Sequence, residues 1–358
     1  MPMHPALGRP AHAVLIYGGA LISGLAASRI GFPLPWMLGA MLFAAGVRLA
    51  DRPVAIPVQT RQAGQVLVAC SVGLSFTPEA VATMGALLWA MLAAAILTVA
   101  IGFVVAAALM RLARVDVITA VLSSVPMGPV ESAVLAQAHG VAPGPVVFAQ
   151  TLRITALVIV IPPSIVALDG TVRDPVAMLA RTDWSLAGAA FLVLAGMGGA
   201  LVAHRLRLAN PFFVGALAGA ALAAAFSLPI TAFPYPVLVV AQMFLGVWLG
   251  AVFDRDLLRR ARGFIPAALV SSLLLTILCA GMGLGLAWLT GQPGTVMILA
   301  TAPGSVTEMA LTAKILQEGL ALVTAFHLVR IFVIIPNAGR IIGLTARLAG
   351  WISDRRRG

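Results

Sequence analysis

Two glutamates and two arginines stand where a chain this apolar tolerates them least. Glu131 closes the run Ser123-Ser124-Val125-Pro126-Met127-Gly128-Pro129-Val130, and Glu308 closes Ala300-Thr301-Ala302-Pro303-Gly304-Ser305-Val306-Thr307. Arg153 and Arg330 fall inside apolar stretches farther along. A charged side chain at the centre of a membrane helix costs about 2.5–3.5 kcal/mol on insertion scales, so these four groups must face one another, a cavity or water. Pro126, Gly128 and Pro129, like Pro303 and Gly304, interrupt a helix, and the backbone amides and half-helix N-termini exposed at such a break suit an anionic group. Glutamates beside the breaks could take up protons, and the arginines would hold either a substrate anion or those glutamates. The plainer expectation is a pair of structural clamps, Glu131 with Arg153 and Glu308 with Arg330, because buried charges are usually paired. A clamp closed in one conformation and parted by substrate in the other would serve both ends.

Other polar residues join this set. Ser305 and Thr307 place hydroxyls within the second motif. Gln65 and Gln242 recur at matching places in third segments, where interhelical hydrogen bonding competes with solute contact as an explanation. His327 stands where the first half has Gln150, so the halves differ chemically there, and it is either a proton relay or a satisfied packing residue.

The elements that must position these groups are membrane helices. The 358 residues are 61% hydrophobic and 10% charged, with a mean hydropathy of +1.05, whereas a soluble domain carries roughly 25% charged residues. Nearly the whole chain is therefore expected in or beside lipid, the fold being an all-α polytopic membrane protein. The net charge of +11 lies in short loops and reports orientation rather than nucleic-acid binding. Cys70 and Cys279 sit within apolar segments as packing residues, with no disulfide framework or thiolate metal site indicated. The apolar run from 12 to 28 resembles a signal peptide, but a matching helix opens the second half, so it is expected to stay.

Sliding the sequence on itself by 176 residues pairs Arg29 with Arg205, Pro35 with Pro211 and Gly39 with Gly215. A slide of 177 pairs Gln65 with Gln242, Gly73 with Gly250, Pro126 with Pro303, Glu131 with Glu308 and Arg153 with Arg330. Matches of these residue types indicate duplication. The expected organisation is a repeat at 12–168, a polar linker at 169–184, a second repeat at 185–346 and a basic cytoplasmic tail at 347–358. Each repeat holds about six hydrophobic segments, the fifth being 117–137 in the first copy and 294–316 in the second. The glycines after Pro35 and Pro211 are expected to permit close helix packing rather than touch a ligand.

If all six segments cross the membrane, the repeats are parallel and Arg255, Arg259, Arg260 and Arg262 fall outside. If the fifth is broken or re-entrant, each repeat has five crossings and the second is inverted. Most basic residues, including those at 355–357, are then cytoplasmic, as the positive-inside rule favours.

PWMLGA from Pro35, GQVLVACSVGLSF from Gly64, VPMGPVESA, APGSVTEMA and a closing helix with an arginine together resemble the membrane AbrB family, over nearly the whole chain. The resemblance implies a bacterial inner-membrane protein. Its members are often labelled ammonia monooxygenases or regulators of gene expression, and their membrane fold is unrelated to the small soluble AbrB-type DNA-binding domain. The residues lend the enzyme label no support: a monooxygenase needs a metal site, and His4, His12 and His204 read as peripheral. No metal, cofactor or direct nucleic-acid binding is expected. The expected partners are the lipid bilayer and a small solute, with homo-oligomerisation left open. A secondary transporter is the leading expectation, a channel or a membrane-embedded sensor the alternatives.

Overall fold

The computed structural model describes residues 9–32, 34–54, 56–169, 184–253, 255–260 and 262–355. The linker from 170 to 183 and the last three residues of the basic tail lie outside the described residues. The first eight helices are α1 (Arg9–Arg29), α2 (Pro35–Leu49), α3 (Val58–Gly73), α4 (Pro78–Ala86), α5 (Leu88–Ala113), α6 (Val117–Ser124), α7 (Pro129–Ala138) and α8 (Pro143–Asp169). The next eight are α9 (Leu186–Arg205), α10 (Pro211–Ala225), α11 (Tyr235–Gly250), α12 (Arg255–Arg260), α13 (Ile265–Thr290), α14 (Gly294–Thr301), α15 (Val306–Leu316) and α16 (Leu320–Arg355). No strand occurs among the described residues.

Local chemistry sets several boundaries. Asp116 caps α6 by accepting from the Thr119 amide at 2.8 Å, and Ser185 caps α9 by accepting from the Gly188 amide at 3.0 Å. Gly291, left-handed at φ 69°, ends α13. Proline opens α2 and α10 at the first helical position, each after a left-handed residue, Leu34 and Asn210. A short helix, α4, precedes α5 and is separated from it by the non-helical Leu87.

The lengths of α5, α8, α9, α13 and α16 and their apolar composition are sufficient to cross a membrane, and α3 with α4 would add a sixth span if the two count as one. Large apolar side chains point outward from these helices, among them Ile96 at 62%, Leu194 at 66% and Ile277 at 65% exposure. Such a surface is at home in hydrocarbon, and the chain is a multi-pass helical membrane protein.

The helices form two compact units. The first gathers 1–77 with 170–258, and the second gathers 78–169 with 259–358. In the first unit α1 packs on α2, α9 on α10, and α3 and α2 each on α11. In the second, α5 packs on α13, α6 and α16, while α13 also meets α8 and α14. Each unit thus draws three or more helices from either side of the linker. The boundaries on the two sides march together: α2 and α10 are both 15 residues long, α3 and α11 both 16, α5 and α13 both 26, and α6 and α14 both 8.

Candidate functional site

The fifth segments are each two half-helices. After α6 the chain leaves the helix from Val125 to Gly128 before α7, and after α14 it leaves it from Ala302 to Ser305 before α15, with Val125, Gly128 and Ser305 in extended conformation. Val125 at the first break lies against Gly102 of α5, where a Cβ would come within 3.1 Å of it. At the second, Thr301 donates to the Cys279 carbonyl of α13 at 2.9 Å and to Met297 at 2.8 Å.

Breaking a helix leaves the last carbonyls of its first half without intrahelical donors. At the first break Gln150 of α8 supplies them: its Nε2 donates to Leu122 O at 2.5 Å and to Val125 O at 3.0 Å. At the second break the task is divided. His327 Nε2 donates to Leu299 O at 3.0 Å, and Arg330 Nη1 donates to Ala302 O at 2.6 Å. Arg330 Nη2 donates further to Gly304 O. Leu122 and Leu299, Val125 and Ala302, and Gln150 and His327 are each 177 residues apart, so the offset seen in the sequence reappears in the hydrogen bonds. Gln150 is a member of this arrangement that the charged residues of the sequence do not point to. The signal for it was its pairing with His327 at that offset.

Arg153 has a different lot. It is 2% exposed, its Nη2 donates to Gln150 Oε1 at 2.5 Å, and its Nε and Nη1 find no protein partner. Arg330 is likewise buried, at 6% exposure, in the same compact unit. The expected clamps do not form: among the described residues neither guanidinium pairs with a carboxylate. The reason lies in the half-helix dipoles. Glu131 and Glu308 occupy the first turns of α7 and α15, the positive ends, whereas the arginine-bearing helices α8 and α16 serve the negative C-terminal ends of α6 and α14.

Glu131 is half-buried and folds back over Gly128, where an added Cβ would collide with its carboxylate. Glu308 is 6% exposed with Oε2 unpartnered, and Thr307 beside it is fully buried with an unpartnered hydroxyl. Ser305 sits at the N-cap of α15 without making a side-chain cap bond. Pro126 and Pro303 lie in the non-helical links, Gly304 supplies a carbonyl to Arg330, and Pro129 opens α7. Unpartnered buried hydroxyls also collect in this unit at Ser123, Ser124, Thr151, Thr155 and Ser272. Among the described residues no three His, Cys, Asp or Glu side chains converge as a metal site would require.

Gln65 and Gln242 belong to the first compact unit, not to this one. Gln65 Nε2 donates to Asn210 Oδ1 at 3.0 Å, the interhelical bond that was one of its two expected roles. Gln242 is buried with Oε1 unpartnered, because Leu34 stands where the other half has Asn210. Gln65→Leu is therefore expected to lower stability by about 1 kcal/mol, while Gln242→Leu, which relieves an unsatisfied buried group, leaves it unchanged or raises it. Thermal melts of the two purified variants check the opposite signs.

The architecture is that of a multi-pass membrane protein with two broken helices whose ends are held by side chains of the following helix. The family model described as transition state regulatory protein AbrB matches residues 36–345, and the chain belongs to the AbrB family. It is 28% identical to a protein named "Putative regulator AbrB" of Escherichia coli (strain K12), over 93% of this chain and 98% of that one. It is 26% identical to "Uncharacterized protein YhjN" of Bacillus subtilis (strain 168), over 62% of each. No solved structure matches.

Proposed function

We propose that the chain is a secondary transporter of a small organic anion, with proton coupling through Glu131 and Glu308. The observation that carries this reading is that two guanidiniums, Arg153 and Arg330, are deeply buried with no carboxylate partner. Two positive charges removed from water call for negative charge, and the glutamates do not supply it. The first-turn amides of α7 and α15 have no intrahelical acceptors, and they add donors suited to the same ligand.

Paired broken helices with ionisable groups are how many secondary transporters build a midplane site from two inverted copies of one unit. The recurring helix lengths and hydrogen bonds support duplication, and the distribution of arginines supports the inverted, five-crossing arrangement. On this reading the chain resides in the bacterial inner membrane with its C-terminus in the cytoplasm, is not an enzyme, needs no cofactor and does not bind nucleic acid directly. A regulatory effect would follow from the solute it moves.

Proteoliposomes test this. The purified chain is expected to carry acetate, pyruvate or succinate inward when the interior is made alkaline, with accompanying acidification read by an internal pH dye. Saturable binding of these anions without flux would instead favour the sensor, for which the name of the E. coli relative argues. Flux that does not respond to the pH gradient would favour a channel. Neither flux nor binding would sink the anion reading.

A further inference from the structure

We propose that the two buried arginines have parted roles, Arg153 being the ligand of the anion and Arg330 the residue that positions the second break, and that the Gln150/His327 difference sets this division. The inference rests on the anion reading above and says which guanidinium serves it.

At each break the same two carbonyls need donors, Leu122 O and Val125 O at the first, Leu299 O and Ala302 O at the second. A primary amide has two N–H groups on one nitrogen, so Gln150 satisfies both carbonyls alone. Its Oε1 is left to accept from Arg153, which fixes that side chain without consuming it. An imidazole gives one proton from the nitrogen facing the break, so His327 satisfies Leu299 O only. Arg330 must then close Ala302 O, and it takes Gly304 O as well.

The donors that remain decide the roles. A guanidinium offers two edges that can each grip a carboxylate with two parallel N–H groups, and Nη2 contributes one hydrogen to each edge. Arg153 gives Gln150 one Nη2 hydrogen. Whichever hydrogen that is, one complete two-donor edge stays unused, with Nε or Nη1 as its second member, and both of these are unpartnered. Arg330 has both terminal nitrogens on backbone carbonyls, which keep the link from Ala302 to Ser305 in place, so at most its Nε–Nη2 edge is left and using it for a ligand would load a nitrogen that already holds Gly304 O. The ligand class that matches Arg153 is a small carboxylate, whose two oxygens fit one guanidinium edge, in preference to a halide. Lysine, a point charge without the planar fork, would not replace it.

The two roles predict opposite effects on the unliganded protein. Arg153→Gln removes a buried charge that has one partner, so its melting temperature is expected to equal or exceed that of the wild type. Arg330→Gln removes the donors that close a helix end, so its melting temperature should fall by several degrees. The full chain in detergent is then titrated with sodium acetate, with chloride holding ionic strength constant. Wild type is expected to gain thermal stability with acetate and to gain nothing from chloride alone. Arg153→Lys should lose the acetate effect, with apparent affinity down about tenfold or more. His327→Gln should keep it. Gln150→His should lose it too, because Arg153 is then drawn onto the Val125 carbonyl as Arg330 is onto Ala302.

Acetate stabilisation retained in Arg153→Lys and Gln150→His overturns the division of roles while leaving the anion site standing. An Arg153→Gln protein that melts as far below wild type as Arg330→Gln overturns it as well. Wild type unresponsive to acetate, pyruvate and succinate alike removes the anion reading itself.

Discussion

Glu308→Gln is expected to abolish the pH-driven component of anion uptake while leaving the chain at least as stable as wild type. Glu308 is 6% exposed and its Oε2 has no donor, so the native state carries an unsatisfied acceptor that the amide relieves in part. Leaving a buried polar group unpaired costs about 1–3 kcal/mol. The proposed proton coupling would draw on this unpaired buried carboxyl beside a helix break. The same change at Glu131 is expected to have a smaller effect on stability, because that side chain is half-buried and rests over Gly128. Uptake measured with and without an imposed pH gradient, beside thermal melts of the same preparations, separates the two consequences. Undiminished gradient-driven uptake in both variants would remove the glutamates from the coupling mechanism.

Valine at Gly39 or Gly215 is expected to prevent the first compact unit from forming. A Cβ on Gly39 would lie 2.6 Å from Ser23 O and 2.7 Å from Gly24 Cα, and one on Gly215 would lie 2.6 Å from Ala203 Cβ and 2.8 Å from Ala200 Cα. The obstacles are mostly backbone of α1 and α9, which cannot rotate aside. Overpacking a core costs about 1–3 kcal/mol where side chains can shift, and more where the main chain must move. Gly46→Ala is the control, since nothing lies within 4 Å of a Cβ there. Fluorescence-detected size exclusion should find the two valine variants aggregated or absent and the control monodisperse at the wild-type position.

These glycines were legible in the sequence: they follow the prolines that open α2 and α10, and close packing was the expected use of them. The breaks at Pro126 and Pro303 were legible too, since proline and glycine in mid-segment cannot continue a helix. What could not be read was where the arginines would go. A one-dimensional pattern shows two acids and two bases at matched spacing and invites their pairing. The outcome is decided by orphan carbonyls at the ends of α6 and α14, which appear only once the backbone has been interrupted in space. Gln150 was overlooked for a related reason: an uncharged residue in an apolar segment draws little notice, though it discharges two carbonyls and orients Arg153. Nor does a pattern that recurs along the chain reveal which helices will pack together. The α2 helix uses its small residues both ways: Gly39 meets α1 of its own half, whereas α11 of the other half also packs on it, so that a Cβ on Gly246 or Gly250 would strike the Met37 or Met41 carbonyl.

The interleaving of the two sides of the linker bears on how the protein is made. The first unit needs residues up to 258 and the second needs residues up to the closing helix α16, so neither is complete when the ribosome reaches the linker. Helices α1 to α8 are made while the faces that meet α9 to α16 are still uncovered, and the break at α6–α7 must wait in that state for α13 and α16. Assembly is thus post-insertional and of long sequence separation, the regime in which folding is slow and intermediates linger. A chain cut at the linker would yield two fragments that each lack half of both units, and co-expression of the pair, not either fragment alone, is the arrangement that could restore the whole.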